Sequence, residues 1–275
     1  MADIKVINLE RSAERREKFA RLNRHIDYEF FKAVDGAGLS VESIAGSGLF
    51  DANLAYTPGA YGCALSHLRL WEEAIATDRV VTVAEDDAIF RSDFDVRQRA
   101  AIQSAPADWD IIIWGWNLDY VLSLSFMPGI SPAIAYFDQE QMRSAIAAFQ
   151  SFDARPNLLG LDKCWGIPAY SISPAGARKF KERCFPLKPL ELTVPLTDIR
   201  LSNTGIDSAM NAIYGSTKSF VCFPPLVVTE NDHSISTIQQ VKRKGFLSRQ
   251  AKSLKQSLRR VFPKAAGNRS RRPSK

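Results

Sequence analysis

Two short runs in this 275-residue chain limit its fold more than any other feature: Val80-Val81-Thr82-Val83-Ala84 and Ile111-Ile112-Ile113-Trp114-Gly115. Neither alternates apolar with polar residues, so each reads as a strand buried on both faces that helices must cover. The flanking segments supply those helices. Over residues 62–76, Leu65, Leu68, Trp71 and Ile75 recur at helical spacing, and Pro174 starts a second helix running to about Arg183. Ile4, Val6, Ile7 and Leu9 form an opening strand, followed by a helix that Ser12 caps and that ends near Asn23. Residues 28–34, 169–173 and 219–223 read as further strands, and Gly205-Ile206-Asp207-Ser208 opens a helix to about Tyr214. Residues 35–56 read as an irregular connection. Between Trp116 and Trp165 the periodicity fails at Pro128, Gly129, Pro132 and Pro156, which predicts a loop-rich region with one helix over 139–149. The expected fold class is α/β: a Rossmann-like, mixed, mostly parallel sheet with helices on both faces.

A hydrophobic fraction of 45% with 10% aromatics excludes chain-wide disorder. The net charge of +6 is carried by one end. Residues 242–275 contain 13 Lys/Arg and no Asp or Glu, leaving 23 basic against 30 acidic groups in residues 1–241. The expected organisation is therefore a folded acidic domain over 1–241 and a basic tail over 242–275. Cys63, Cys164, Cys184 and Cys222 form no CxxC pair and no CxxC…His spacing that proposes zinc, so they read as buried thiols in a reducing compartment. The start lacks a basic stretch followed by an apolar one, and no run approaches the roughly 18 apolar residues of a membrane span, so a cytoplasmic location is expected.

Glu85-Asp86-Asp87 directly follows the first buried run. Like charges so close repel and cannot enter a core unpaired; a divalent cation resolves the conflict. In extended backbone Glu85 and Asp87 face one side and Asp86 the other, so the pair is the candidate ligand set for Mn²⁺ or Mg²⁺, which completes its shell with substrate phosphates. An arbitrary acidic triplet is more often a solvated turn or a cap on the segment that follows. Its position at a strand's carboxyl end, where open α/β sheets bind ligands, favours the metal–diphosphate reading.

Other candidates are less specific. Ser66 and His67 lie on the helix over 62–76 and are candidate ligand contacts, though a lone helical His is commonly structural. Asn8, Arg11, Arg15 and Arg16 follow the first strand, where the arginines could meet phosphates or simply line an exposed helix face. Asp207 sits in a first helical turn, where a carboxylate also serves as a helix-end charge. Asp232-His233 follows the last strand, with His233 a candidate metal ligand or loop surface.

Four segments together resemble glycosyltransferase family 25, the lipooligosaccharide galactosyl- and glucosyltransferases related to collagen galactosyltransferases. They are Val6-Ile-Asn-Leu-Glu-Arg-Ser with Arg15-Arg16, Gly62-Cys-Ala-Leu-Ser-His-Leu-Arg-Leu-Trp-Glu-Glu-Ala-Ile75, Val83-Ala-Glu-Asp-Asp-Ala-Ile-Phe90 and Tyr170-Ser-Ile-Ser-Pro-Ala-Gly-Ala177. The resemblance covers roughly residues 3–235 and implies a GT-A-like fold, a UDP-hexose donor, a divalent cation at the acidic block and an inverting single displacement onto a (lipo)oligosaccharide acceptor. It nominates Asp207 and Asp86 as catalytic carboxylates, Asp207 as the base. Asn8, Arg11, Arg16, Ser66, His67 and Asp86 are the nucleotide-contacting set, with Glu85, Asp87 and His233 as metal ligands.

In the tail, Phe246, Leu247, Ala251, Leu254, Leu258, Val261 and Phe262 recur at helical spacing among Arg249, Lys252, Lys255, Arg259 and Arg260. This predicts a basic amphipathic helix suited to an anionic membrane surface, or one packed on the body; without interleaved aromatics it does not predict nucleic-acid binding. Two rival functions remain: a metal-dependent phosphohydrolase, disfavoured because Asn8 and Glu10 stand where an early Asp is needed, and a non-catalytic membrane-binding protein.

Overall fold

The computed structural model describes residues 3–231; His233 and the basic tail over 242–275 lie outside the described residues. In chain order the elements begin β1 (Asp3–Asn8), α1 (Ala13–Leu22), β2 (Glu29–Lys32), α2 (Val41–Gly46), α3 (Pro58–Thr77), β3 (Val81–Glu85), β4 (Ala88–Phe90), α4 (Phe94–Ser104) and β5 (Ile111–Gly115). They continue with β6 (Leu122–Met127), β7 (Ser131–Ala135), α5 (Gln139–Ser144), α6 (Ile146–Gln150), β8 (Asn157–Lys163), β9 (Ala169–Ile172) and α7 (Pro174–Cys184). Last come β10 (Glu191–Thr193), β11 (Arg200–Ser202), α8 (Ile206–Asn211), β12 (Ser219–Phe223) and β13 (Val227–Thr229).

Nine strands form one mixed sheet in the order β2-β1-β3-β9-β5-β12-β8-β6-β7. Parallel neighbours are confined to β2-β1-β3 and β5-β12; every other neighbouring pair is antiparallel. The sheet is thus mixed as expected, but parallel pairing does not dominate it. Parallel pairs need a crossover helix, and α1 and α3 provide it around β1, whereas β6 and β7 form a hairpin that is antiparallel by construction. The 116–165 region is correspondingly no loop excursion. Its Gly129 takes φ +74° between β6 and β7, and Pro132 stands on the edge strand β7, where a missing N–H costs no ladder bond. The single helix expected over 139–149 is two, α5 and α6, divided at Ala145.

Burial explains the two founding runs. Ile111 and Ile113 pack into a core shared with Trp71 of α3 and Phe180 of α7, while Ile112 and Trp114 pack into a second core with Phe19 of α1 and Phe94 of α4. Each face of β5 is covered, so no polar residue fits. α3 runs from an N-cap at Thr57, whose Oγ1 accepts from Ala60 N at 3.2 Å, with Pro58 at its first position. Its close approach to the β2 exit requires glycine: a Cβ on Gly62 would lie 2.4 Å from Val34 O and 2.6 Å from Gly36 N. Ser66 fastens the same contact, accepting from Val34 N at 2.8 Å and donating to Gly62 O at 2.7 Å. Among the described residues no helix is long and apolar enough to cross a membrane.

Candidate active site

Glu85 is the last residue of β3, and Asp86 and Asp87 form the turn into β4. The extended geometry expected to pair Glu85 with Asp87 therefore ends at Glu85, and a turn distributes the three carboxylates instead. Register Ile7↔Glu85 across the β1–β3 pair brings Asn8 beside Asp86, and Asn8 Nδ2 donates to Asp86 Oδ2 at 2.7 Å. From α1, Arg15 Nε donates to Asp86 Oδ1 at 2.8 Å, with a second, shorter contact from the same guanidinium. Arg15 also stands 3.7 Å from Asp87 Oδ2. Arg16 Nε donates to Asn8 Oδ1 at 3.1 Å and its guanidinium lies over the Phe30 ring.

This reassigns several of the sequence candidates. Asp86 has both oxygens engaged by Asn8 and Arg15, and works as a tie between β1, α1 and the turn rather than as a free catalytic carboxylate. Ser66 is fully buried with its hydroxyl spent on main-chain partners, so it does not face a ligand. Arg11 is paired with Asp35 at the surface.

α3 forms the opposite wall. His67, buried completely, has Nδ1 2.8 Å from the Tyr170 hydroxyl, whose oxygen accepts from Trp71 Nε1 at 2.8 Å. Its Nε2 has no hydrogen-bond partner and lies 3.9 Å from Glu85 Oε1. Cys63 stands one helical turn before His67 on the same face, and its sulfur, the His67 ring nitrogen and a Glu85 oxygen all lie within 4.8 Å of one another. Asp207 closes the site from the start of α8, accepting from Ser208 N at 2.9 Å and from Gly166 N at 3.2 Å.

Charge is poorly compensated here. Burial, then the charges of Asp207 and Asp86, push Glu85 up to about 8; burial, then Glu85, push Asp87 up to about 7, with Arg15 opposing both. Asp207 is raised too, because burial outweighs the backbone N–H bonds that a helix start contributes. Burial holds His67 down at about 4, so its ring is neutral. Asp87 Oδ1 is buried with no hydrogen-bond partner. Clustered carboxylates with an unpaired oxygen are a donor set that suits a hard, oxygen-seeking divalent cation.

Sequence reasoning passed over Cys63, whose four-residue spacing from His67 on one helix was the available signal. It also passed over Tyr56, Tyr120 and Trp165. Tyr120 stacks on Trp165 with ring centroids 5.9 Å apart, and burial followed by nearby acid charges, Asp207 among them, raises both the Tyr56 and Tyr120 phenols. The antiparallel β4–β13 pair brings Glu230 and Asn231 to the cavity that Arg15, Lys18, Asp86 and Asp87 line.

Comparison with known proteins gives a consistent picture. Residues 1–194 match the family model for Glycosyltransferase family 25 (LPS biosynthesis protein). A Glycosyltransferase 25 family member of Aedes aegypti is 37% identical over 130 residues, covering 42% of this chain and 21% of that protein. Procollagen galactosyltransferase 2 of Mus musculus is 31% identical over 127 residues, covering 41% and 20%. Inactive glycosyltransferase 25 family member 3 of Homo sapiens is 33% identical over 128 residues, covering 41% and 21%. The chain thus matches about a fifth of the length of these relatives. The solved structure of A197 from STIV covers 88% of this chain and 98% of that one at 11% identity, with a TM-score of 0.34, too low to inform the fold.

Proposed function

The chain belongs to glycosyltransferase family 25, and from that premise we propose that it transfers a hexose, galactose or glucose, from a UDP-sugar to a glycan acceptor of lipopolysaccharide, lipooligosaccharide or surface polysaccharide. Transfer is inverting and depends on Mn²⁺ or Mg²⁺. The observation that carries the reading is the acidic cluster at the end of β3: Asp87, whose Oδ1 is buried without a hydrogen-bond partner, and Glu85, on which the charge of Asp207 also acts.

Glu85 and Asp87 would hold the cation, with His233 a further proposed ligand; when bound, the ion stabilises negative charge on the departing diphosphate. The protein's own part is positional and acid–base. Asp86, locked by Arg15 and Asn8, fixes the turn that carries Asp87. Arg16, braced by Asn8 and Phe30, is proposed to reach the donor's phosphates. Asp207 takes the proton from the acceptor hydroxyl as it attacks the face of the sugar opposite the leaving group. Burial suits it to that role, because a carboxylate raised above its ordinary 3.8 is a stronger base. The enzyme is proposed to work in the cytoplasm, the basic tail holding it at the inner face of the membrane where a lipid-linked acceptor is found.

UDP release, measured with UDP-galactose and UDP-glucose, with and without lipid-extracted acceptors, tests the reading. Turnover dependent on Mn²⁺ or Mg²⁺ and lost in Glu85→Gln and Asp87→Asn, both still folded, is expected. Undiminished transfer in both variants removes the acidic block from the mechanism.

A further inference from the structure

We propose that Cys63, His67 and Glu85 form a binding site for a soft divalent cation of the zinc class, approached from the α3 side of the acidic block and distinct from the diphosphate-bound ion. The proposal meets the reading above at one residue, Glu85, and stands on geometry that needs no substrate.

Cys63 and His67 are four residues apart on α3, a spacing that stacks their side chains on one face. That face looks at the end of β3, and the three candidate donor atoms lie within 4.8 Å of one another. Sulfur, imidazole nitrogen and carboxylate oxygen around a tetrahedral zinc ion stand about 3.4 Å apart, given metal–ligand distances of about 2.0–2.3 Å. The His67–Glu85 separation of 3.9 Å is near that already. The adjustment falls on Glu85, whose side chain is 29% exposed, while His67 is fully buried.

The second observation is independent of the cluster. His67 Nε2 is buried, without a hydrogen-bond partner, and directed at Glu85. An unpaired buried polar atom is destabilising, so its persistence calls for a ligand. The rest of the ring is supported as metal-bound histidines are. A metal on Nε2 places the ring hydrogen on Nδ1, 2.8 Å from the Tyr170 oxygen, which accepts from Trp71 Nε1 at 2.8 Å. Loading breaks the Cys63 S–H bond and, where Glu85 holds its proton, the Glu85 O–H bond, forms the sulfur–metal and oxygen–metal bonds, and passes the released protons to solvent. Thiolate and imidazole select zinc, cobalt or cadmium over magnesium, and the set of three leaves a fourth position open.

Cobalt reports the site directly. The full chain, stripped with chelator and titrated with Co²⁺ in the absence of nucleotide, is expected to develop an intense near-ultraviolet thiolate-to-cobalt absorption that saturates at one equivalent and that Zn²⁺ then abolishes. Cys63→Ser should abolish that absorption and weaken cobalt binding at least about tenfold. Cys184→Ala and Asp87→Asn should retain it, although Asp87→Asn is expected to lose transfer; the two readings therefore fail separately. X-ray absorption of the zinc-loaded unmodified protein gives the same answer without a variant, as one sulfur with nitrogen and oxygen neighbours. A cobalt complex lacking the thiolate absorption, an absorption that survives Cys63→Ser, its loss in Asp87→Asn, or a zinc shell without sulfur would each overturn the proposal.

Discussion

Arg15 grips Asp86 with Nε at 2.8 Å from Oδ1, and through that contact the first helix holds the acidic turn in place. The pair is largely sequestered, at 24% and 10% side-chain exposure, and Asn8 completes the carboxylate's bonding. Removing one partner leaves a mostly buried charge unmatched, which typically costs about 3–5 kcal/mol for a fully buried pair and less with the exposure seen here. Arg15→Gln is expected to lower stability by roughly 2 kcal/mol. Arg15→Lys should recover only part of it, because an ammonium cannot reproduce the guanidinium fork. Urea unfolding of the three proteins checks this, and equal midpoints would refute it.

Stability should also depend on pH in a way set by the acidic block. Glu85 and Asp87, ordinarily near 4.5 and 3.8, are raised to about 8 and about 7, so the folded state holds protons that the unfolded chain has released. Their contribution is complete at low pH and is lost as pH rises through those raised values. His67 acts oppositely: held at about 4 against 6.5, it adds stability as pH rises to 6.5 and nothing beyond. The window from pH 6.5 to 8 thus isolates the carboxylates. In chelator, Tm is expected to drop across it by roughly 3–8 °C, and saturating Mn²⁺ should shrink the drop. A Tm that rises from pH 6.5 to 8 in chelator would contradict the assignment.

What could be seen in the sequence follows from how local each feature is. β3 and β5 were legible because burial on two faces writes itself into consecutive residues, α7 because Pro174 marks its start, and the body of α3 because its period is long, although its first turn at Pro58 lies before the periodic stretch that begins at Gly62. β4 and β13 were not, since each is three residues long and exists only through pairing with the other, Val227 opposite Phe90. The location of the acidic block could be read from its strand end. The separate fates of its members could not: Asp86 is fixed by Arg15 and Asn8 from distant parts of the chain, and Asp87 by a turn. Ser66 and His67, adjacent in sequence, diverge because successive helical positions point about 100° apart, one toward the β2 exit and the other toward Glu85.

The Gly62 contact predicts a sharp steric effect. Any Cβ there meets backbone, Val34 O at 2.4 Å and Gly36 N at 2.6 Å, so relief requires α3 to move away from the β2 exit and to carry Cys63 and His67 with it. Gly62→Ala is expected to destabilise by about 1–3 kcal/mol, despite alanine's better helix propensity. A neutral or stabilising effect in denaturant unfolding would show that the helix is free to shift.

Asp207 offers the most direct test of the chemistry. Its Oδ1 accepts from Ser208 N at 2.9 Å and its Oδ2 from Gly166 N at 3.2 Å, so asparagine keeps the size and one acceptor but cannot take a proton. If Asp207 deprotonates the acceptor, Asp207→Asn should lower kcat by about 10²–10⁴-fold while leaving UDP binding nearly unchanged. A helix-positioning role would give a different pattern, reduced stability with kcat close to normal. The pH profile adds a second discriminant: the acid limb of kcat/KM in the unmodified enzyme should reflect a carboxylate raised above 3.8, and the residual activity of Asp207→Asn should lack that limb. A variant that retains both the rate and the limb would transfer the base role to another group.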